Sequence, residues 1–183
     1  MRKLPIPFYD RQTAAVARDL LGKLLVHSVD DTARIGRIVE VEAYTGPHDL
    51  ASHASKGCTK RNQVMFGPPG RAYVYLIYGL YHCLNVVTEA PGWGSAVLLR
   101  AIEPLQHVSE RTQGPGLLCK AMGIDLRCNG HDMTSETLYI AEPDDAKPFK
   151  IVAKPRIGVA YAGKWADKAL RFYIRDNPFI SRK

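Results

Sequence analysis

The sequence predicts an α+β fold: one domain, residues 1–183, on a curved, mainly antiparallel β-sheet flanked by a few helices. Three observations lead there. Short stretches rich in β-branched and aromatic residues recur from residue 23 onward, each bounded by Gly, Pro or paired Asp. Helical periodicity is confined to a few short segments. A chain of 183 residues, 46% hydrophobic and 23% charged, with no repeat, linker or low-complexity tract, has the size and usage of one globular unit.

Asp10 is placed to cap a helix over 13–21, where apolar residues recur at helical spacing, and Gly22 is its stop. Strands are expected over 23–28 and 33–44 around an Asp30-Asp31 turn. Gly46-Pro47 opens a polar stretch that runs to Asn62, and GPPG at 67–70 is a strong breaker. Strands over 72–78 and 82–88 follow, with Gly79 turning the chain between them. Another turn, Gly92-Trp93-Gly94, precedes a strand over 95–102. GPG at 114–116 leads into a short helix over 117–122, and the rest mixes short strands with turns.

Charge is unevenly placed. Residues 147–183 hold ten basic residues against two acidic ones, a net +8, whereas the whole chain carries +7. Trp165, Phe172, Tyr173 and Phe179 alternate with these cations, so the segment reads as folded surface that packs its aromatics and exposes its charges. A basic strip on a near-neutral body points to an extended polyanion, although a solvated face is the commoner meaning of surface lysine. The four cysteines form no CxxC pair, and Cys128 with His131 supplies only half of a zinc pattern, so reduced structural thiols are expected. The start of the chain lacks the apolar run of a secretory signal, and no stretch approaches the ~18 apolar residues of a membrane span.

Strand alternation sorts the candidate residues. Over 37–44 it puts Ile38, Glu40, Glu42 and Tyr44 on one face, so two carboxylates share a face with a tyrosine. Such a pair suits proton abstraction from water; a wet outer face is the plain alternative. Over 73–78, Tyr73 and Tyr75 share a face, offering flat π surfaces for a planar base, or ordinary sheet packing. Tyr78, beside Gly79, stands where the strand turns and could project as a wedge. His53 lies in a polar loop; with His48 and Asp49 it has no recognised metal spacing, so no metal is expected. Asn85 sits among apolar strand residues and needs a partner for its amide, and Arg100, flanked by Leu99 and Ala101, needs an anion such as Glu40 or Glu103.

In order along the chain, RIVEVEAYTGP (37–47), His53, KRN (60–62), MF (65–66) and YVYLIYGLY (73–81) with Asn85 are followed by VLLRAIEP (97–104) and GPGLLCKA (114–121). RIGV (156–159), GKWA (163–166) and LRFY (170–173) complete the set. Over about nine tenths of its length the chain thereby resembles the alkyladenine (3-methyladenine, or methylpurine) DNA glycosylase family. The resemblance implies a monofunctional enzyme that flips alkylated or deaminated purines out of duplex DNA. These are 3-methyladenine, 7-methylguanine, hypoxanthine and ethenoadenine, and a Glu-activated water hydrolyses the N-glycosidic bond to begin base excision repair. Residue by residue, Glu42 matches the general base and Arg100 the residue that positions nucleotide and water. Tyr44, His53 and Tyr75 match the walls around the extruded base, Asn85 the purine-discriminating position, Leu98 the pocket floor and Tyr78 the intercalated residue. It also implies no cofactor and no metal. Its expected partner is double-stranded DNA with damaged purines, met by a monomer without a membrane. The expected location is the cytoplasm, at the nucleoid, in a bacterium or the nucleus in a eukaryote, and not outside the cell. Two other readings compete: a non-catalytic nucleic-acid-binding module, and a sugar hydrolase using Glu40 with Glu42, whose same-strand carboxylates would point the same way instead of flanking a bond. The short 105–113 connection departs from many members and puts the DNA footprint in question.

Overall fold

The computed structural model describes residues 1–145 and 147–183. Nine strands, β1 (Arg2–Lys3), β2 (Leu24–Val29), β3 (Thr32–Tyr44), β4 (Ala72–Ile77), β5 (Tyr81–Thr88), β6 (Ser95–Gln106), β7 (Leu138–Glu142), β8 (Ile151–Lys154) and β9 (Arg171–Ile174), make one sheet. Three short helices accompany them: α1 (Ile6–Tyr9), α2 (Thr13–Leu20) and α3 (Pro115–Met122). Every strand pair is antiparallel, in the spatial order β1-β7-β2-β3-β6-β5-β4, with β9 also on β3 and β8 outside β9. The α+β class and the mainly antiparallel sheet expected from sequence are both present.

β3 organises the sheet. This thirteen-residue strand pairs with β6 between Ile35 and Tyr44 along one edge, while its other edge serves β2 over its first half and β9 over Glu40–Glu42. The β2–β3 hairpin closes through Asp30 and Asp31, both at positive φ (47° and 58°). Two left-handed residues give the turn a twist that matches the strands, and Asp tolerates that region better than most residues. The ladder between β3 and β6 is irregular: Ile38 pairs with Ile102, Glu40 with Ala101 and Val41 with Leu99, so neither Val39 nor Arg100 has a ladder partner. Such bulges bend a strand and re-aim side chains. Strict alternation therefore fails at Val39, and Ile38, Val39 and Val41 all enter the main core.

α2 and α3 lie against one face of the sheet. Val16, Ala17 and Leu20 of α2 and Leu118, Cys119 and Met122 of α3 join Leu84, Val86, Val97 and Leu99 in the main core. At about 25 cal/mol per Å² of apolar surface removed from water, this cluster is the main source of stability. Gln12, rather than the expected Asp10, caps α2, its side chain accepting from the Ala15 amide. α3 begins two residues earlier than expected, with Pro115 in its first turn, where a missing N–H costs nothing. The opposite face of the sheet carries a smaller cluster that includes Tyr73, Val87 and Ala96, with Tyr44 and Tyr75 packed against it. That second face bears the site. Among the described residues, no helix is long and apolar enough to cross a membrane.

Candidate active site

Register places the candidate residues in one row. Tyr73 pairs with Asn85, Asn85 with Leu98, Leu98 with Glu42 and Glu42 with Arg171, across β4, β5, β6, β3 and β9. One step along, Tyr75 lies opposite Cys83 and Tyr44 opposite Ala96. Residues two apart in a strand share a face, so these side chains converge on one hollow. The hollow is a cavity of ≈ 620 Å³, and Tyr44, His53, Tyr75, Tyr78, Asn85, Leu98 and Arg100 all line it.

His53 begins a 3-10 turn (His53–Lys56) rather than sitting in open loop, and Ser52 caps it by accepting from the Ala54 amide. Its Nδ1 is 2.9 Å from the Tyr73 hydroxyl, and its ring meets Tyr75 edge-on at 4.7 Å between centroids. Burial, and then the charges of Arg61 and Lys56, lower the His53 pKa, so the imidazole is neutral at neutral pH. Burial raises the phenols of Tyr73 (to about 12) and Tyr75, keeping both as neutral π surfaces. Asn85 donates from Nδ2 to the Tyr73 carbonyl at 3.0 Å, which orients its amide beside the cavity. Leu98 lies next to it, on the neighbouring strand.

Glu42 is fully buried at 0% exposure and lies behind the cavity lining rather than in it. Its Oε1 accepts from the Ile157 amide at 2.8 Å and its Oε2 from the Tyr44 hydroxyl at 2.9 Å. Arg100 Nη1 is 3.4 Å from the same Oε2, and Ile157, Tyr44 and Arg100 do face the cavity. Burial works against the Arg100 charge, but Glu42 and then Glu40 outweigh it and hold the guanidinium above its usual pKa. For Tyr44, burial comes first and the Glu42 charge second in pushing the phenol well above its ordinary range, so it remains a donor.

The other carboxylate of the pair shares Arg100 with Glu42 and is otherwise taken up by Arg171 and Ser181. Glu40 is bound by Arg100 Nε (3.3 Å), Arg171 Nη1 (2.9 Å) and the Ser181 amide and hydroxyl (2.5 and 2.9 Å). The wet outer face is absent, and so is any pair of acids flanking a common space; the sugar-hydrolase arrangement is not built. Arg100 takes both acids as partners and does not use Glu103.

Two cations of the basic strip are internal. Arg156 makes a two-pronged pair with Asp49, Nη1–Oδ2 2.6 Å and Nη2–Oδ1 2.8 Å, with both side chains at 0% exposure. It also donates to the Ala43 carbonyl and lies over the Tyr44 ring at 4.7 Å. Asp49 in turn accepts from the amides of Thr45 and Ala51. Arg171 is the other buried cation; the remaining eight basic residues of 147–183 are exposed, as expected. Asp49 is therefore an ion-pair partner and not part of a metal triad, and His48 instead packs between Trp93 and Trp165. Among the described residues there is no group of three or more His, Cys, Asp or Glu able to hold a metal, and all four cysteines are free.

Tyr78 stands at the β4–β5 turn, 90% exposed and at φ 54°, followed by Gly79 at φ 66°. A tyrosine in the left-handed region is strained, and it is held there with its ring in solvent at the cavity mouth. Arg156, the Ile157 amide and Tyr161, which lines the cavity and donates to the Ala51 carbonyl, were not singled out from sequence, and Asp49 was weighed only for a metal site. Arg156 carries no local sign of burial: Lys154 stands two residues before it, and its partner Asp49 is 107 residues away in sequence.

Three aromatic side chains and a fixed carboxamide thus line one cavity, with an arginine–carboxylate cluster at its back. Sequence comparisons say which class of protein this is. A family model described as methylpurine-DNA glycosylase (MPG) matches residues 7–178. A Legionella pneumophila (strain Corby) protein provisionally named 3-methyladenine DNA glycosylase is 63% identical, over all of both chains. One of the same provisional name from Myxococcus xanthus is 51% identical, over all of this chain and 95% of its own. Another, from Anaeromyxobacter dehalogenans (strain 2CP-1), is 52% identical, over 98% of this chain and 86% of its own. The chain belongs to the methylpurine-DNA glycosylase family and is a DNA glycosylase, an enzyme of DNA repair that acts on DNA.

Proposed function

We propose that the enzyme excises 3-methyladenine, 7-methylguanine, hypoxanthine and ethenoadenine by direct hydrolysis of the N-glycosidic bond, after the nucleotide has swung out of the duplex. The observation that carries this reading is the cavity itself: ≈ 620 Å³ lined by Tyr44, His53 and Tyr75 ends at an arginine locked onto a buried carboxylate. A glycosidic bond inside a stacked duplex is out of reach, so extrusion is required, at a cost of a few kcal/mol that is least at weakened pairs. Stacking on Tyr44, His53 and Tyr75, worth roughly 1–3 kcal/mol per base, offsets that cost. Tyr78, already outside the protein surface, fills the space left in the helix, and the eight exposed cations of 147–183 attract the phosphates.

Glu42 is the general base. Its carboxylate has acceptor sites beyond those used by Ile157 and Tyr44, and a water held there is directed at the sugar while the anion stabilises the positive charge that develops on it. Arg100 positions the carboxylate and the nucleotide. Asn85, its amide fixed by Tyr73, disfavours guanine by crowding the exocyclic amino group, a penalty that 7-methylguanine shares but offsets by its charge-weakened glycosidic bond, and Leu98 is the floor beside it. The lining residues include no lysine, which supports hydrolysis over Schiff-base chemistry. The enzyme acts as a monomer.

The test is incubation with duplexes containing hypoxanthine or ethenoadenine, followed by alkali and gel analysis. Strand breaks at the lesion only after alkali support the reading. Binding to every lesion duplex with release from none would make the protein a recognition module instead.

A further inference from the structure

The buried charges around β3 are balanced: Glu40, Glu42 and Asp49 against Arg100, Arg156 and Arg171. Within this set, Arg156 and Asp49 do not line the cavity; Arg156 reaches it through the Tyr44 ring, and Asp49 also accepts from the amide of Ala51, a lining residue. Arg156 covers one face of the ring at 4.7 Å and does not line the cavity, so the cavity lies against the rest of the ring. A base stacked on the far side at a van der Waals separation of roughly 3.5 Å stands about 8 Å from the guanidinium. At that distance, through an interior of low dielectric, one unbalanced charge is felt on the order of tenfold or more in an equilibrium. Asp49, at 2.6 Å from Arg156, cancels it.

We propose that Asp49 and Arg156 are specificity-determining residues that set how the pocket divides its activity between cationic and neutral purines. The inference rests on the base-pocket reading above. Alkylation at N7 or N3 leaves a fixed positive charge on the purine, whereas hypoxanthine and ethenoadenine are neutral. With Asp49 in place the wall behind Tyr44 is electrically silent, and the neutral ring offers its π face to either class. Removing the aspartate charge makes that wall repel a cationic base; removing the arginine charge makes it attract one.

The experiment measures single-turnover release of 7-methylguanine and of hypoxanthine by one preparation of each variant and takes the ratio, which is independent of the folded fraction. Asp49→Asn should lower the 7-methylguanine to hypoxanthine ratio about tenfold, and Arg156→Gln should raise it by a similar factor. The double variant, in which the charge balance returns, should return the ratio toward that of the unmodified enzyme. A ratio unchanged in both single variants, or moved the same way in both, overturns the proposal. If the unmodified enzyme releases neither base, the base-pocket reading fails first and takes this one with it.

Discussion

Glu42 and Tyr44, two residues apart on β3, are joined by a 2.9 Å hydrogen bond from the tyrosine hydroxyl to Oε2. The strand period puts both on one face, and the contact links the proposed base to a wall of the pocket. In the proposed reading, one side chain both stacks on the purine and orients the carboxylate.

Glu42→Gln keeps the shape and the acceptor for the Ile157 amide but removes the charge. Base release should fall by at least about 10²-fold, the usual contribution of a positioned base, with affinity for lesion duplex retained. Single-turnover assays beside direct binding measurements check it. Unchanged release would remove Glu42 from its role.

Tyr78 combines a positive φ with an exposed ring. Tyr78→Gly relieves the positive φ and should stabilise the fold by about 0.5–1 kcal/mol, read as a higher urea midpoint. The same variant should bind lesion duplex more weakly while binding to intact duplex changes less. Equal losses on the two duplexes would contradict the wedge.

Asn85→Ala leaves the Tyr73 carbonyl without its side-chain donor and should cost about 1 kcal/mol of stability. It should also relax the exclusion of guanine, seen as slow release of guanine from undamaged or mismatched duplex. No such release would place the discrimination elsewhere.

His53 carries a pH signature. Its folded pKa is below its unfolded value, so the unfolded chain binds the proton more readily. The stability this neutral ring contributes is complete above about pH 6.5 and is lost as pH falls through the lower folded pKa. Urea unfolding as a function of pH should show that slope, and His53→Gln should flatten it.

Much of the site was legible because strand alternation is a local rule. Glu42 with Tyr44 and Tyr73 with Tyr75 share faces on period alone, and glycines at 79, 92 and 94 marked the turns that bring those strands together. What was hidden depended on partners far away in sequence. Arg156 and Arg171 look like surface cations until Asp49 and Glu40 are found beside them, and Glu40 looks like half of an acid pair until Ser181 and two arginines claim it. The irregular ladder at Val39 and Arg100 has no compositional sign, since neither residue is a glycine or proline. The Gln12 cap displaced the stronger capper Asp10 because the backbone turns into α2 only after residue 12.

The sharing of one β3 edge by β2 and β9 has a mechanical consequence. Amides of residues 40–42 sit in the middle of the sheet with ladders on either side, and should be among the last in the molecule to exchange with deuterium. Glu42 is thus mounted on a rod braced from both sides, while the turn that bears Tyr78 stands free in solvent.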